Sequence, residues 1–251
     1  MVAAENTGLS SAHPTLFAVS GYSMRPGVEY DSTSDTSEEL SVLSHSPLIA
    51  HGDLEPDLIA FLGSQSRIAW DVETSGLDWR VDKLATCQIF AEGATPVVVQ
   101  LDGRRRPENL CTLLADRTVM KVFHHAPFDL RFMVHAWNVS PRSVLCTKVA
   151  SKLLSPAAPN SAHSLQSLLA GYLEVRLTKG AVRTSDWSAA ELTADQIAYA
   201  VNDVVHLPRL LDALLEGLRN ADLDDLYRRC CEFLPARVGL ELGGFPDVFS
   251  Y

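Results

Sequence analysis

The sequence predicts an α/β fold in which helices flank a mixed five-stranded sheet, and three observations point to it. Five short apolar runs, at residues 67–71, 84–90, 96–101, 119–123 and 144–146, read as strands. Helical segments follow Pro107, Pro127, Cys146 and His163, so strands first cluster and then alternate with helices. A chain of 251 residues with 47% hydrophobic content can bury one substantial core.

Residues 1–46 are rich in Ser, Thr and acids and carry no sustained periodicity, so they are expected to form a disordered acidic extension. Residues 47–251 are expected to form one domain with a helical C-terminal tail. The net charge of −10 divides unevenly: residues 1–66 hold nine acids and one base, whereas the remainder holds 22 acids and 20 bases. A near-neutral remainder argues against tight binding along long nucleic acid. The five cysteines form no CxxC pair and join no His cluster, so buried or partly buried thiols in a reducing compartment are expected. No apolar run is long enough to span a membrane and no basic region leads into an apolar core at the start, which gives a cytoplasmic expectation.

Along the chain, residues 48–50 suit an edge strand and residues 54–62 a short amphipathic helix whose start is marked by Asp53 and Pro56. The central strand candidate, Ile68 to Trp70, ends on Asp71 and Glu73 before Gly76 turns the chain. Alternate residues of a strand share a face, so two carboxylates project together if the strand persists. A lone Asp-x-Glu is ordinarily a solvated corner, and partners elsewhere must reverse that reading. Two segments supply them. Strand 119–123 runs into His124, His125, Ala126, Pro127, Phe128 and Asp129, with Pro127 fitted to a first helical turn. Thr193 can cap a helix that sets Tyr199 and Asp203 on one face at i and i+4.

The rest is punctuation and packing. Arg104, Arg105 and Arg106 form a run that reads as a solvated turn, with a phosphate or subunit contact as the alternative. Residues 164–173 have helical spacing suited to packing, and Lys179, Arg183 and Trp187 occupy a stretch that could fold over a substrate. Pro208 should divide the long helical pattern after Asp203, and residues 223–234 form a further helix with a Tyr227, Cys231, Leu234 stripe.

The motifs Asp71-Val-Glu73, His124-His-Ala-Pro-Phe-Asp129 and Tyr199-Ala-Val-Asn-Asp203, in this order, resemble the three exonuclease motifs of the DEDD superfamily, in its tyrosine-bearing, ribonuclease D-like subgroup. His163-Ser-Leu165, Lys179 and Ser185-Asp-Trp187 also resemble the ribonuclease D pattern. The segment from Cys146 to Ser151 and the ending from Leu234 to Phe249 also resemble the nanoRNase C family. That resemblance implies a ribonuclease H-like (DnaQ-like) sheet with one antiparallel strand and two divalent cations, Mg²⁺ or Mn²⁺. Asp71 would bridge both ions, Glu73 and Asp203 would complete the nucleophile-side position, Asp129 would hold the other ion, and Tyr199 would orient the attacking water. Carboxylates without His or Cys suit such hard cations. Thr74, Leu77, His125 and Phe128 would contact the terminal nucleotide, with Leu77 as a wedge and Phe128 as a stacking face. His125 stands where related exonucleases carry asparagine, and Cys146 where many ribonuclease D relatives carry aspartate. The implied substrate is short single-stranded RNA, with DNA cleavage, generic RNA trimming and non-catalytic RNA binding as rivals. The implied assembly is a homo-oligomer larger than a dimer, an octamer in nanoRNase C.

Overall fold

The computed structural model describes residues 46–103, 105–177, 182, 185–245 and 247–250. The expected extension at 1–46 lies outside them except for its last residue, as do Arg104, Lys179 and Arg183. The strands are β1 (Leu48–His51), β2 (Arg67–Thr74), β3 (Leu84–Phe90), β4 (Val97–Gln100), β5 (Met120–Phe123) and β6 (Val144–Cys146). They form one mixed sheet in the order β1-β4-β3-β2-β5-β6, in which β3 runs antiparallel to both neighbours and every other pairing is parallel.

The five predicted core strands are joined by β1, the edge strand expected at residues 48–50, whose Leu48 pairs with Val97 of β4, so the sheet has six strands rather than five. At the edge, Leu48 and Ile49 are exposed. The centre is the reverse: all seven residues of β3 are buried, which marks a strand covered on both faces.

Helix α1 (Pro56–Gly63) follows β1, and α2 (Glu108–Ala115), α3 (Ala126–Trp137), α4 (Thr147–Leu154) and α5 (Leu165–Tyr172) begin where the sequence places them. Asp53 does not cap α1. Its carboxylate accepts the amides of Asn109 and Leu110 at 2.8 and 3.0 Å, closing the first turn of α2 from a distant point of the chain. Thr193 caps α6 (Ala194–Val205) in a reciprocal capping box with Gln196. Pro208 sits in the first turn of α7 (Leu207–Asn220), so the predicted division of the long helix falls at His206.

The last helix, α8 (Asp224–Leu242), outruns the predicted 223–234 and continues through Pro235. Its stripe explains why. Tyr227, Cys231 and Leu234 are buried as expected, and Val238 extends the same row one turn past the proline. The packing of that row outweighs the one hydrogen bond a mid-helix proline removes. The row lies against α3 and β6, where the Cys146 amide donates to the Tyr227 hydroxyl at 3.2 Å and Arg131 pairs with Glu241 at 3.3 Å. The C-terminal helix thus backs the helix that carries Asp129. Among the described residues no helix is long and apolar enough to cross a membrane.

Candidate active site

Strand β2 continues to Thr74, so Asp71 and Glu73 keep the i, i+2 relation and share a face. Pairing with β5 ends at Ala69, whereas pairing with β3 continues to Thr74 with a register shift after Glu73. The last residues of β2 therefore outrun β5, and the first turn of α3 enters beside them carrying Asp129. The Val72 amide reaches the carboxylates of both Asp71 and Asp129. Helix α6 packs on β2 and β3 and brings Tyr199 and Asp203 to the same place. One carboxylate oxygen each from Asp71, Glu73 and Asp203 lies within 4.8 Å of the others, while Asp129 is 2% exposed.

Such crowding shows in the acidities. Burial, and then the charges of Asp129, Asp203 and Glu73, hold the Asp71 carboxyl well above the usual carboxylate range. Burial raises Asp129 in the same way, with Asp203 adding to it. Asp203 is pushed up to about 6 by burial, against a Tyr199 hydroxyl hydrogen bond that pulls it down. Burial and the neighbouring carboxylates push the Tyr199 phenol upward, so it stays protonated at neutral pH.

A carboxyl whose folded pKa is raised binds its proton more tightly when folded. The stability it contributes is complete below the ordinary 3.8 and is lost as pH rises through the raised folded pKa, about 6 for Asp203 and well above the ordinary value for Asp71 and Asp129. We therefore expect the melting temperature of the metal-free protein to fall between pH 5 and pH 8 more steeply than that of Asp203→Asn. Parallel thermal scans in chelator would show it, and equal slopes would contradict the crowding.

The remaining predicted residues are less alike. Leu77 stands out at 82% exposed, and the Thr74 hydroxyl donates to the Gly76 carbonyl at 2.5 Å. Gly76 is required by space, since a β-carbon there would lie 2.4 Å from the Asp82 carboxylate. Phe128 is half-buried against Phe132, with ring centroids 5.1 Å apart. His125 is exposed and adopts the left-handed backbone at φ 68° as the residue before α3. Left-handed backbone is rare for residues other than glycine, with Asn, Asp and His the usual exceptions.

Of the stretch that could fold over a substrate, Lys179 and Arg183 lie outside the described residues, and Trp187 is buried, with its ring 6.0 Å from that of Tyr199. Gln196 fixes the approach to it by donating to Ser185 Oγ at 2.9 Å and the Asp186 carbonyl at 3.0 Å. Trp187 thus backs the phenol.

Three features escape the sequence reading. Thr86 and Gln88 pair in register with Glu73 and Asp71, so they lie beside the acidic pair on its own face. Both are buried, Gln88 Nε2 donates to Thr86 Oγ1 at 2.6 Å, and Gln88 Oε1 has no partner. Polar residues at alternate positions of a wholly buried strand are the signal that could have found them. Second, burial raises the Cys146 thiol, while the backbone amides of Val149, Ala126, His125 and Lys148, at the starts of α3 and α4, act to lower it. Third, His124 Nδ1 lies 2.8 Å from Thr147 Oγ1 and its ring meets the His163 backbone. Burial lowers its pKa to about 3, so it serves as a neutral strut under the turn into α3.

The sequence profile of the family described as 3′-5′ exonuclease matches residues 49–219. The chain is 38% identical over 95 residues to ribonuclease D of Desulfotalea psychrophila, covering 38% of this chain and 24% of that protein. It is 30% identical over 154 residues to DNA polymerase I of Aquifex aeolicus, covering 61% and 24%. The chain spans a quarter to less than a half of the length of such relatives. Among solved structures it is similar to Brucella melitensis NrnC with bound Mg²⁺, at 32% identity and a TM-score of 0.75 over 82% of this chain and 100% of that one. NrnC bound to pGG matches at 33% and 0.74 with the same coverage. Ribonuclease D of Escherichia coli, at 20% identity and a TM-score of 0.67 over 77% and 51%, shares the fold. The chain belongs to the 3′-5′ exonuclease family, in its ribonuclease D-like DEDD branch, and it resembles nanoRNase C.

Proposed function

We propose that this protein is a metal-dependent 3′-5′ exoribonuclease that releases nucleoside 5′-monophosphates from short single-stranded RNA. The observation that carries the reading is the convergence of Asp71, Glu73 and Asp203 within 4.8 Å. Partly buried, mutually repelling carboxylates are costly to a fold unless cations occupy the space between them. The donor set is all oxygen, which fits Mg²⁺ or Mn²⁺, and four carboxylates nominally balance two dications. Asp71, Glu73 and Asp203 would hold one ion and Asp129, with Asp71, the other. Bound there, the ions would lower the pKa of water and neutralise charge on the phosphate and the departing 3′ oxygen.

The chain's own groups supply the rest. The Tyr199 phenol, kept protonated, is a poor base and acts by orienting the attacking water from its position beside Asp203. Leu77, exposed just past the end of β2, wedges against the terminal base, while Thr74, His125 and Phe128 border the terminal nucleotide.

The preference for short RNA is supported by the likeness to NrnC, which has a structure with pGG, and by the near-neutral charge beyond residue 66. We further place the activity in one cytoplasmic nuclease domain over residues 47–251 that assembles beyond a dimer. Exposed apolar side chains near the C-terminus, with Phe245 at 61% and Phe249 at 74%, support that assembly. The match to DNA polymerase I favours a second reading, a DNA exonuclease, because the carboxylates do not read the sugar. Matched RNA and DNA oligomers of about two to twenty nucleotides, assayed with light scattering of the same sample, test these statements. We expect the highest kcat/KM on RNA of about two to four nucleotides by an oligomer. A monomer that degrades long RNA faster, or equal rates on DNA, contradicts them.

A further inference from the structure

A cavity of about 300 Å³ lies beside the candidate active site and takes no part in the chemistry assigned there. Two catalytic elements lead directly into it. The chain leaving β2 passes from Glu73 through the exposed Leu77 to Trp79, which forms one wall. Helix α3 leads from Asp129 to Phe132, His135 and Ala136, which form another. Asp129, Phe132 and Ala136 stand at i, i+3 and i+7, so they share one helical face. At 1.5 Å per residue His135 is only about 9 Å along the axis from Asp129.

Its lining is unlike the rest of this acidic protein. Lys83, Arg105 and Arg106 contribute cations, and Asp82 is the single acid among the lining residues. The Asp82 carboxylate is already engaged, accepting the Asp78 amide at 2.8 Å. Arg106 is engaged too, with its Nε donating to the Trp137 carbonyl at 2.7 Å and its guanidinium paired with Glu108. Arg105 and Lys83 are exposed at the rim, and neither side chain has a partner among the described residues. The aromatic side of the cavity is preformed, since Trp79 and His135 meet edge to face at 4.9 Å and the Arg80 guanidinium lies over the Trp79 ring at 4.7 Å, leaving one ring face for a base. Cations at a rim with an aromatic wall behind them suit a nucleotide, with its phosphate on the cations and its base on the ring.

We propose that this cavity is a further nucleotide subsite, which holds a nucleotide of the RNA chain upstream of the two 3′-terminal ones, with phosphate at Arg105 and Lys83 and the base against Trp79. The assignment rests on the exoribonuclease reading. It gives the arginine run a role at Arg105, while Arg106 serves the fold.

The test is Arg105→Glu combined with Lys83→Glu, two exposed positions outside the carboxylate cluster, measured in the full chain. On RNA of about six nucleotides we expect KM to rise about tenfold with kcat little changed, and on a dinucleotide we expect no change. The salt slope of binding to the six-mer, measured in an Asp203→Asn background, should fall by about 1 for each phosphate no longer neutralised. Quenching of Trp fluorescence by the six-mer should vanish in Trp79→Phe. If the double variant binds and degrades the six-mer like its parent, the subsite is overturned while the exoribonuclease reading stands. If the wild type degrades no RNA yet the double variant loses six-mer binding, the subsite stands and that reading falls. Quenching by a free nucleoside monophosphate, with six-mer binding unaffected by the double variant, would overturn the assignment to RNA.

Discussion

Asp71→Asn, and likewise Asp203→Asn, is expected to yield a folded protein whose turnover is lower by at least about three orders of magnitude. Each change removes a charged oxygen from the group that lies within 4.8 Å, while leaving volume and apolar packing nearly intact. The metal-free melting temperature at pH 8 should move the other way. Asp71 is held above the usual carboxylate range by burial and by three neighbouring acids, so a neutral isostere relieves a repulsion that the folded chain otherwise bears. Added Mg²⁺ should stabilise the wild type more than either variant, by mass action on the native state. Steady-state rates and thermal scans, with and without Mg²⁺, check all three effects. Unchanged turnover at saturating Mg²⁺ would sink the site assignment.

Tyr199→Phe is expected to cost about 10² in kcat with substrate affinity preserved, the scale of one positioned catalytic group. The phenol is hydrogen-bonded to Asp203, and the ring is backed by Trp187 at 6.0 Å, so the Phe ring should stay in place and only the hydroxyl should be lost. Losing that hydroxyl also removes the interaction that lowers the Asp203 pKa, so the acidic limb of the pH–rate profile should move upward in the variant. Single-turnover rates across pH separate the two contributions. A fully active variant with an unmoved profile would return Tyr199 to a packing role.

These expectations rest on residues that can be read from the sequence because they lie on regular elements. The i, i+2 carboxylates of β2 and the i, i+4 pair of α6 are set by backbone periodicity, and the proline and threonine that start α3 and α6 mark where those helices begin. What cannot be read depends on neighbours distant in sequence. Gln88 and Thr86 reach the acidic pair only through cross-strand register, and Asp53 caps a helix 56 residues away in preference to its own. The edge strand at residues 48–50 is legible, but that it pairs with β4 and brings the sheet to six strands is set by register far along the chain. Helix α8 outlasts Pro235 because the burial of Val238 is a tertiary fact that a local rule does not contain.

Product analysis of a short RNA, labelled at its 5′ end and digested by the purified chain in Mg²⁺, tests the exoribonuclease assignment most directly. The expected result is stepwise release of nucleoside 5′-monophosphates from the 3′ end, abolished by chelator and by Asp71→Asn. Products bearing 3′-phosphates, internal cuts, or digestion that survives chelator would contradict it.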